Sequence, residues 1–245
     1  MRNTGRVLSV FKESDMASRI SRARGQSIRE YPTYSIPEAA LILAMSTRTL
    51  QSWVYDKPFF EVSGSDQPQR LLSFKDLAQF YFLKFVRQHA RISDVKAREL
   101  LRYTKEITGS EYPLLHENIR VLPRHVFLKR ERTVEELLRP RGQYVFEEIV
   151  SIFASRVDRD KRGSIIRLYP WRLFKEGDIR RPVSIDPNVL SGRPVITGTR
   201  IPALVIATRR RKGESVRDIA KDYGISRKRV TESLRHLPIE IRKAA

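Results

Sequence analysis

The sequence predicts a mainly α chain with small β elements, an α+β fold in which two helix-turn-helix units flank a short mixed middle. Three observations carry this expectation. Two stretches, 34–54 and 214–236, each hold a capped short helix, a turn and a second capped helix at the same internal spacing. Runs of β-branched and aromatic residues are few and short, as in "HVFLKR" (125–130) and "IIRLYP" (165–170). With 245 residues, 40% of them hydrophobic, the chain can bury cores in two modest domains.

Residues 1–30 hold seven Lys/Arg against three acidic residues and little apolar periodicity, and read as a mobile basic arm. Pro32 then biases Tyr31 away from helix. Ser35 and Glu38 have the S-x-x-E spacing of a capping box, with Pro37 in the first turn, so a helix is expected over about 37–43. "MST" interrupts it, and Ser46 caps a second helix over 47–54. Ala40, Ala44 and Leu50 are spaced by four and then six residues.

The same arithmetic returns near the C-terminus. Ser215 and Asp218 form the acidic version of the box, Ser226 caps the next helix, and Ala220, Gly224 and Val230 repeat the spacing. The physical sense is specific. A small residue on the inner face of the first helix lets the second cross closely. The residue four later sits in a tight turn where positive φ favours glycine. The residue six further on pins the second helix to the core, which frees its outer face for a major groove. A plain αα-hairpin packed inside a domain is the alternative at both places. Trp53 lies on the Leu50 side of its helix and reads as core.

After the first unit, "FFEVSGSDQPQRLLSF" (59–74) reads as strand, polar turn, strand. Ser73 with Asp76 caps a longer helix through Leu77, Phe80, Tyr81 and Lys84 that continues or breaks near Ile92. This is the order of a winged helix-turn-helix domain, expected over 31–110. Residues 111–172 read as a small α/β connecting and oligomerisation region. They hold the two short strands above, a helix over 144–157 with Val145, Ile149, Ile152 and Phe153 on one face, and a turn over 158–164. Residues 171–182 read as a linker, and 183–245 as a closing helix-turn-helix module.

The opening of that module, "SGRPVITGTRIP" (191–202), is not a phosphate-binding P-loop. Five residues separate Gly192 from Gly198, and Thr-Arg follows where Lys-Ser/Thr is required. It reads instead as a short strand at "PVI", a turn needing positive φ at Gly198, and a return into a helix that ends near Gly213.

Charge points to a polyanionic partner. The chain has 48 Lys and Arg against 28 Asp and Glu, a net +20 and a pI near 10.6. No cysteine is present, which excludes disulfides and thiolate metal sites. No apolar run approaches the ~20 residues of a membrane span. The chain is expected to be cytoplasmic, and nucleoid-associated when on DNA. His89, His116, His125 and His236 lack metal-ligand spacing. No nucleophile elbow or paired carboxylate stands out. We therefore expect no catalytic residue, metal ligand or cofactor, and no enzyme.

"SIPEAALILAMSTRTLQSWV", with the hairpin and long helix after it, resembles the DNA-binding domain of the MerR-like family over about residues 34–105. The resemblance implies that Thr47, Arg48 and Gln51 face DNA and that Arg70 in the wing meets phosphate. Ser46 and Thr49 complete a polar set suited to base edges. In the second unit Ser226, Arg227, Lys228, Arg229 and Arg235 supply the corresponding cationic helix. "SIDPNVLSGRPVITGTRIPALVIA" followed by "GESVRDIAKDYGISRKRV" resembles a small prokaryotic family found among VapB-type antitoxins. That resemblance implies a type II antitoxin, partnered by operator DNA and a PIN-like ribonuclease toxin and acting as an autorepressor. A symmetric homodimer or higher oligomer is expected on two-fold operators. Toxin contact would draw on Arg193, Arg200, Arg209, Arg210, Arg211 and Lys212, against the alternative that this run is a solvated helix end. A stand-alone MerR-like regulator without a toxin, sensing a ligand in 112–170, is the second reading.

Overall fold

The computed structural model describes residues 27–63, 70–90, 92–116, 150–170 and 181–238. The expected strand at 125–130, the start of the helix over 144–157 and most of the 171–182 linker lie outside them. So does the expected arm up to residue 26. Its last residues are docked rather than mobile, because Arg29 pairs with Asp160 and Glu30 with Lys75.

The first helix, α1 (Ile36–Ile42), starts on the expected box. Glu38 N donates to Ser35 Oγ (3.4 Å) and Ser35 N to Glu38 Oε2 (3.1 Å). α2 (Thr47–Gln51) starts at Ser46, whose Oγ accepts from Thr49 N at 3.0 Å. Here the structure corrects the expected helix over 47–54. From Ser52 to Asp56 the chain widens into a π turn, closed by Lys57 N donating to Ser52 O. The wider turn accompanies burial of the adjacent Trp53 and Val54. Trp53 meets Phe59 edge-on at 5.1 Å and stacks on Phe80 at 6.1 Å.

Residues 59–63 form no strand, so the expected hairpin over 59–74 is not built from them. Side-chain partners take their place: Ser63 N donates to Asp76 Oδ2 (3.0 Å), and just before the segment Arg98 Nη2 donates to Lys57 O (2.7 Å). Leu72 bridges Tyr34, ahead of α1. Residues 64–69, the middle of the expected turn, lie outside the described set.

α3 (Phe74–Ala90) is the central helix, with Leu77, Ala78, Phe80, Phe82 and Leu83 all fully buried. α4 (Asp94–Thr108) starts at Ser93 and ends at Gly109 with φ 62°. After a 3-10 turn (Pro113–Leu115) come helical residues 150–154 and the antiparallel hairpin β1 (Val157–Arg159) and β2 (Ile165–Leu168). Val157, expected in the helix, pairs with Leu168, because Arg156 N tightens onto Phe153 O and ends the helix first. The Arg156 side chain is fully buried, with its guanidinium over the Phe85 ring and donating to Tyr81 Oη at 2.9 Å.

A second hairpin, β3 (Val183–Ser184) with β4 (Val195–Ile196), joins the first through the Leu168–Ile185 bridge. α5 (Ala203–Arg211), α6 (Val216–Asp222) and α7 (Arg227–His236) follow. Ile196, Ile206, Ile219, Ala220 and Val230 make their small core. Ala203, Ala207 and Leu237 pack into the main core with α1–α4. The C-terminal segment is thus anchored to the main core through α5 and the residue after α7, while the α6–α7 corner keeps its own small core.

Two local features yield predictions. Ala44 holds φ 48°, a left-handed conformation that costs a Cβ-bearing residue about 1–2 kcal/mol. Ala44→Gly removes that cost and adds about 0.4–1 kcal/mol of unfolded-state entropy. We expect a net gain of up to about 1 kcal/mol in chemical denaturation. Asp76 is buried behind the α3 cap and accepts from Ser63 N and Ser73 N. Burial raises its pKa above the usual aspartate value, outweighing the hydrogen bonds that lower it. A raised folded pKa contributes stability that is fully present below the unfolded value of about 3.9 and is lost as pH rises through the folded one. Asp76→Asn should flatten that fall, which begins above the ordinary aspartate pKa, read from denaturation midpoints against pH.

Candidate nucleic-acid interface

The turns of the two helix-turn-helix units carry the same hydrogen bonds. In the first, Ala44 N donates to Leu41 O (3.2 Å) and Met45 N to Ala40 O (3.0 Å); in the second, Gly224 N donates to Lys221 O (3.2 Å) and Ile225 N to Ala220 O (3.0 Å). The left-handed residues correspond, Ala44 at φ 48° and Gly224 at φ 60°. Leu50 and Val230, the pinning positions, are fully buried. What positions the outer faces is thus the same hydrogen-bonded corner used twice, with Ser46 and Ser226 at the start of each second helix.

On α2, Ser46, Thr47, Arg48, Thr49 and Gln51 are exposed, so the expected face is open. Two of them are partly spent: Ser46 Oγ caps Thr49 N and lies 2.7 Å from Thr49 Oγ1. Arg70 does not stand on a hairpin. Its Nη1 donates to Val54 O (2.7 Å) and its guanidinium covers the ring of Tyr55. Tyr55, 42% exposed, was not singled out in the sequence. Its position five after Leu50 places it on the outer face and was the available signal.

On α7, Ser226, Arg227, Lys228, Arg229 and Arg235 are all exposed. Arg227, Lys228 and Arg235 have no protein partner among the described residues. Arg229 differs: its guanidinium donates to Thr197 O and ties α7 to the turn before α5. Thr231, exposed between Arg227 and Arg235 at i+4 spacing, belongs to the same stripe and was missed.

The cations proposed for protein contact separate in the same way. Arg209 Nε donates to Glu214 Oε2 at 2.7 Å, its guanidinium pairs with Glu214 and Asp222, and it lies 5.3 Å over Tyr223. Those carboxylates push its pKa above the already high arginine value. Arg209 joins α5 to α6. Arg200, Arg211 and Lys212 are exposed, as is Arg210, which donates to Glu214 O at 3.2 Å. Arg193 is half-buried just before β4. Among the described residues no group of three His, Cys, Asp or Glu is placed to hold a metal, and no helix is long and apolar enough to cross a membrane.

The β3–β4 hairpin, the left-handed turn at Gly198 and the second helix-turn-helix occupy one continuous segment. Residues 183–236 match the family described as "Protein of unknown function (DUF433)". The whole chain has wider relatives. It is 26% identical over 231 residues to "Putative antitoxin VapB45" of Mycobacterium tuberculosis, covering 84% of this chain and 93% of that protein. It is 23% identical over 229 residues to "Uncharacterized protein Rv2308" of the same organism, covering 85% and 91%. In fold it is similar to the crystal structure of Rv2018 from Mycobacterium tuberculosis, with a TM-score of 0.64 at 23% identity over 83% of this chain and 97% of that one. The DUF433 segment alone contributes β3, β4 and all three C-terminal helices.

Proposed function

We propose that this chain is the antitoxin of a type II toxin–antitoxin pair. In this reading it binds its own operator as a dimer and neutralises a PIN-like ribonuclease. The observation that carries the proposal is the repeated helix-turn-helix with open outer faces, in a chain that resembles an antitoxin-designated protein along most of its length. The faces divide by chemistry. α2 presents Thr47, Arg48 and Gln51, a set suited to base edges, with Arg70 and Tyr55 beside them. α7 presents Arg227, Lys228 and Arg235, a set suited to phosphate. Arg200, Arg211 and Lys212 are the cations we assign to the acidic metal-binding centre of the nuclease, and Arg209 is withdrawn from that set.

The test is co-expression of the full chain with the product of the neighbouring gene, followed by co-purification and a growth assay. A stable complex that restores growth and protects the upstream operator from nuclease digestion is the expected result. Operator protection without any captured nuclease would favour a stand-alone MerR-like regulator. Neither result would reject both readings.

A further inference from the structure

We propose that the cavity between the 110–116 corner and the β1–β2 turn is a binding site for a small phosphate-bearing ligand. The cavity measures about 160 Å³ and is lined by Lys75 of α3, by Tyr112 and His116 of the corner, and by Arg162 and Ser164 of the turn. At about 30 Å³ per water molecule it holds roughly five waters, room for one tetrahedral oxyanion with its first hydrogen-bonded shell.

Its walls are fixed before any ligand arrives. The Arg159 guanidinium donates to Leu115 O on one wall (2.8 Å) and to Gly163 O on the other (2.6 Å). Asp160 accepts from the backbone N–H groups of Arg162 and Ser164, both at 3.0 Å, and from Arg29 at 2.8 Å, which shapes the turn. Lys75 lies 4.9 Å over the Tyr112 ring, and Ser110 Oγ accepts from Tyr112 N.

The chemistry of those walls selects an anion. The guanidinium of Arg162 and the hydroxyl of Ser164 have no protein partner among the described residues. The carboxylates nearby are already engaged, Glu30 with Lys75 and Asp160 with Arg29. Arg162 and Ser164 therefore offer donors that no acceptor among the described residues claims. Both lie on the turn, and the Lys75 ammonium, which also pairs with Glu30, lines the recess from α3, so an entering phosphate meets positive charge from two elements. None of its lining residues belongs to α2 or α7, so the site is separate from those faces. Free phosphate and a phosphomonoester share this chemistry.

Calorimetric titration of the full chain in chloride buffer, with inorganic phosphate and separately with adenosine monophosphate, tests the proposal. Saturable one-to-one binding is expected. Equal affinities would identify the free anion as the ligand, and a clear preference for the monophosphate would identify an ester. Arg162→Ala with Ser164→Ala should weaken binding at least about tenfold, the scale of one lost charge-assisted hydrogen bond. Arg162→Gln alone, which keeps most of the side chain, should weaken it severalfold with an unchanged melting temperature. Arg227→Ala with Lys228→Ala should leave it unchanged. The proposal is overturned if neither probe saturates, or if both pairs of substitutions weaken binding alike, since that would be diffuse attraction to a chain of net charge +20.

Discussion

Replacing Arg227, Lys228 and Arg235 together with alanine is expected to lower affinity for duplex DNA by about 100- to 1000-fold at low salt. Each side chain projects from α7 without a partner among the described residues, so each is available to displace a counterion from phosphate. Every phosphate contact contributes about 0.9 to the slope of log affinity against log salt, and loss of three should flatten it by nearly three units. Arg229→Ala is the informative control. Its guanidinium is held by Thr197 O, so the substitution should lower stability through the lost tie while changing the slope far less. Filter binding or fluorescence anisotropy from low to physiological salt reads both. An unchanged slope in the triple variant would move α7 from DNA to protein contact.

Gly192→Ala is expected to be the most destabilising glycine-to-alanine change among Gly109, Gly192, Gly198, Gly213 and Gly224. Gly192 has φ 78° and closes a run of three left-handed residues with Leu190 (φ 47°) and Ser191 (φ 54°). A Cβ there would sit 1.9 Å from the Tyr34 hydroxyl oxygen, which donates to Gly192 O at 3.0 Å. Tyr34 is buried, and burial pushes its pKa far above the ordinary tyrosine value, so the hydroxyl stays a donor. The substitution combines a left-handed Cβ with an overlap that moves the ring, at a cost of about 2–4 kcal/mol. Tyr34→Phe alone should cost about 1–2 kcal/mol for the unsatisfied carbonyl. In the Gly192→Ala background the same change removes the overlapping oxygen and should be neutral or stabilising. A double-mutant cycle by urea denaturation measures this; simple additivity would mean that the contact does not couple the two positions.

The tie couples the two regions that a division into fragments would separate. Tyr34 precedes the first helix-turn-helix and Gly192 lies in the DUF433 segment. The Leu168–Ile185 bridge and the shared core join the same two regions. Division of labour between α2 and α7 is therefore best tested with point variants of the full chain.

The sequence by itself determined what is closed within a few residues. The two Ser-x-x-acid boxes, the serine caps at 46 and 226, the spacing of Ala40, Ala44 and Leu50, and the positive φ at Gly198 were legible, because each depends on partners three to six positions away. The burial of Trp53 followed from its helical side. The tertiary structure decided which exposed-looking groups are free. Arg209, Arg229 and Arg70 read as solvent-facing cations, yet each is claimed by a carboxylate or carbonyl 5 to 32 residues distant. Leu72 found Tyr34 rather than its expected hairpin partner, and Tyr34 found Gly192 across 158 residues. Such pairings have no period and no local signature. They exist only once packing has brought the segments together, where a buried donor left without an acceptor would cost about 1–3 kcal/mol.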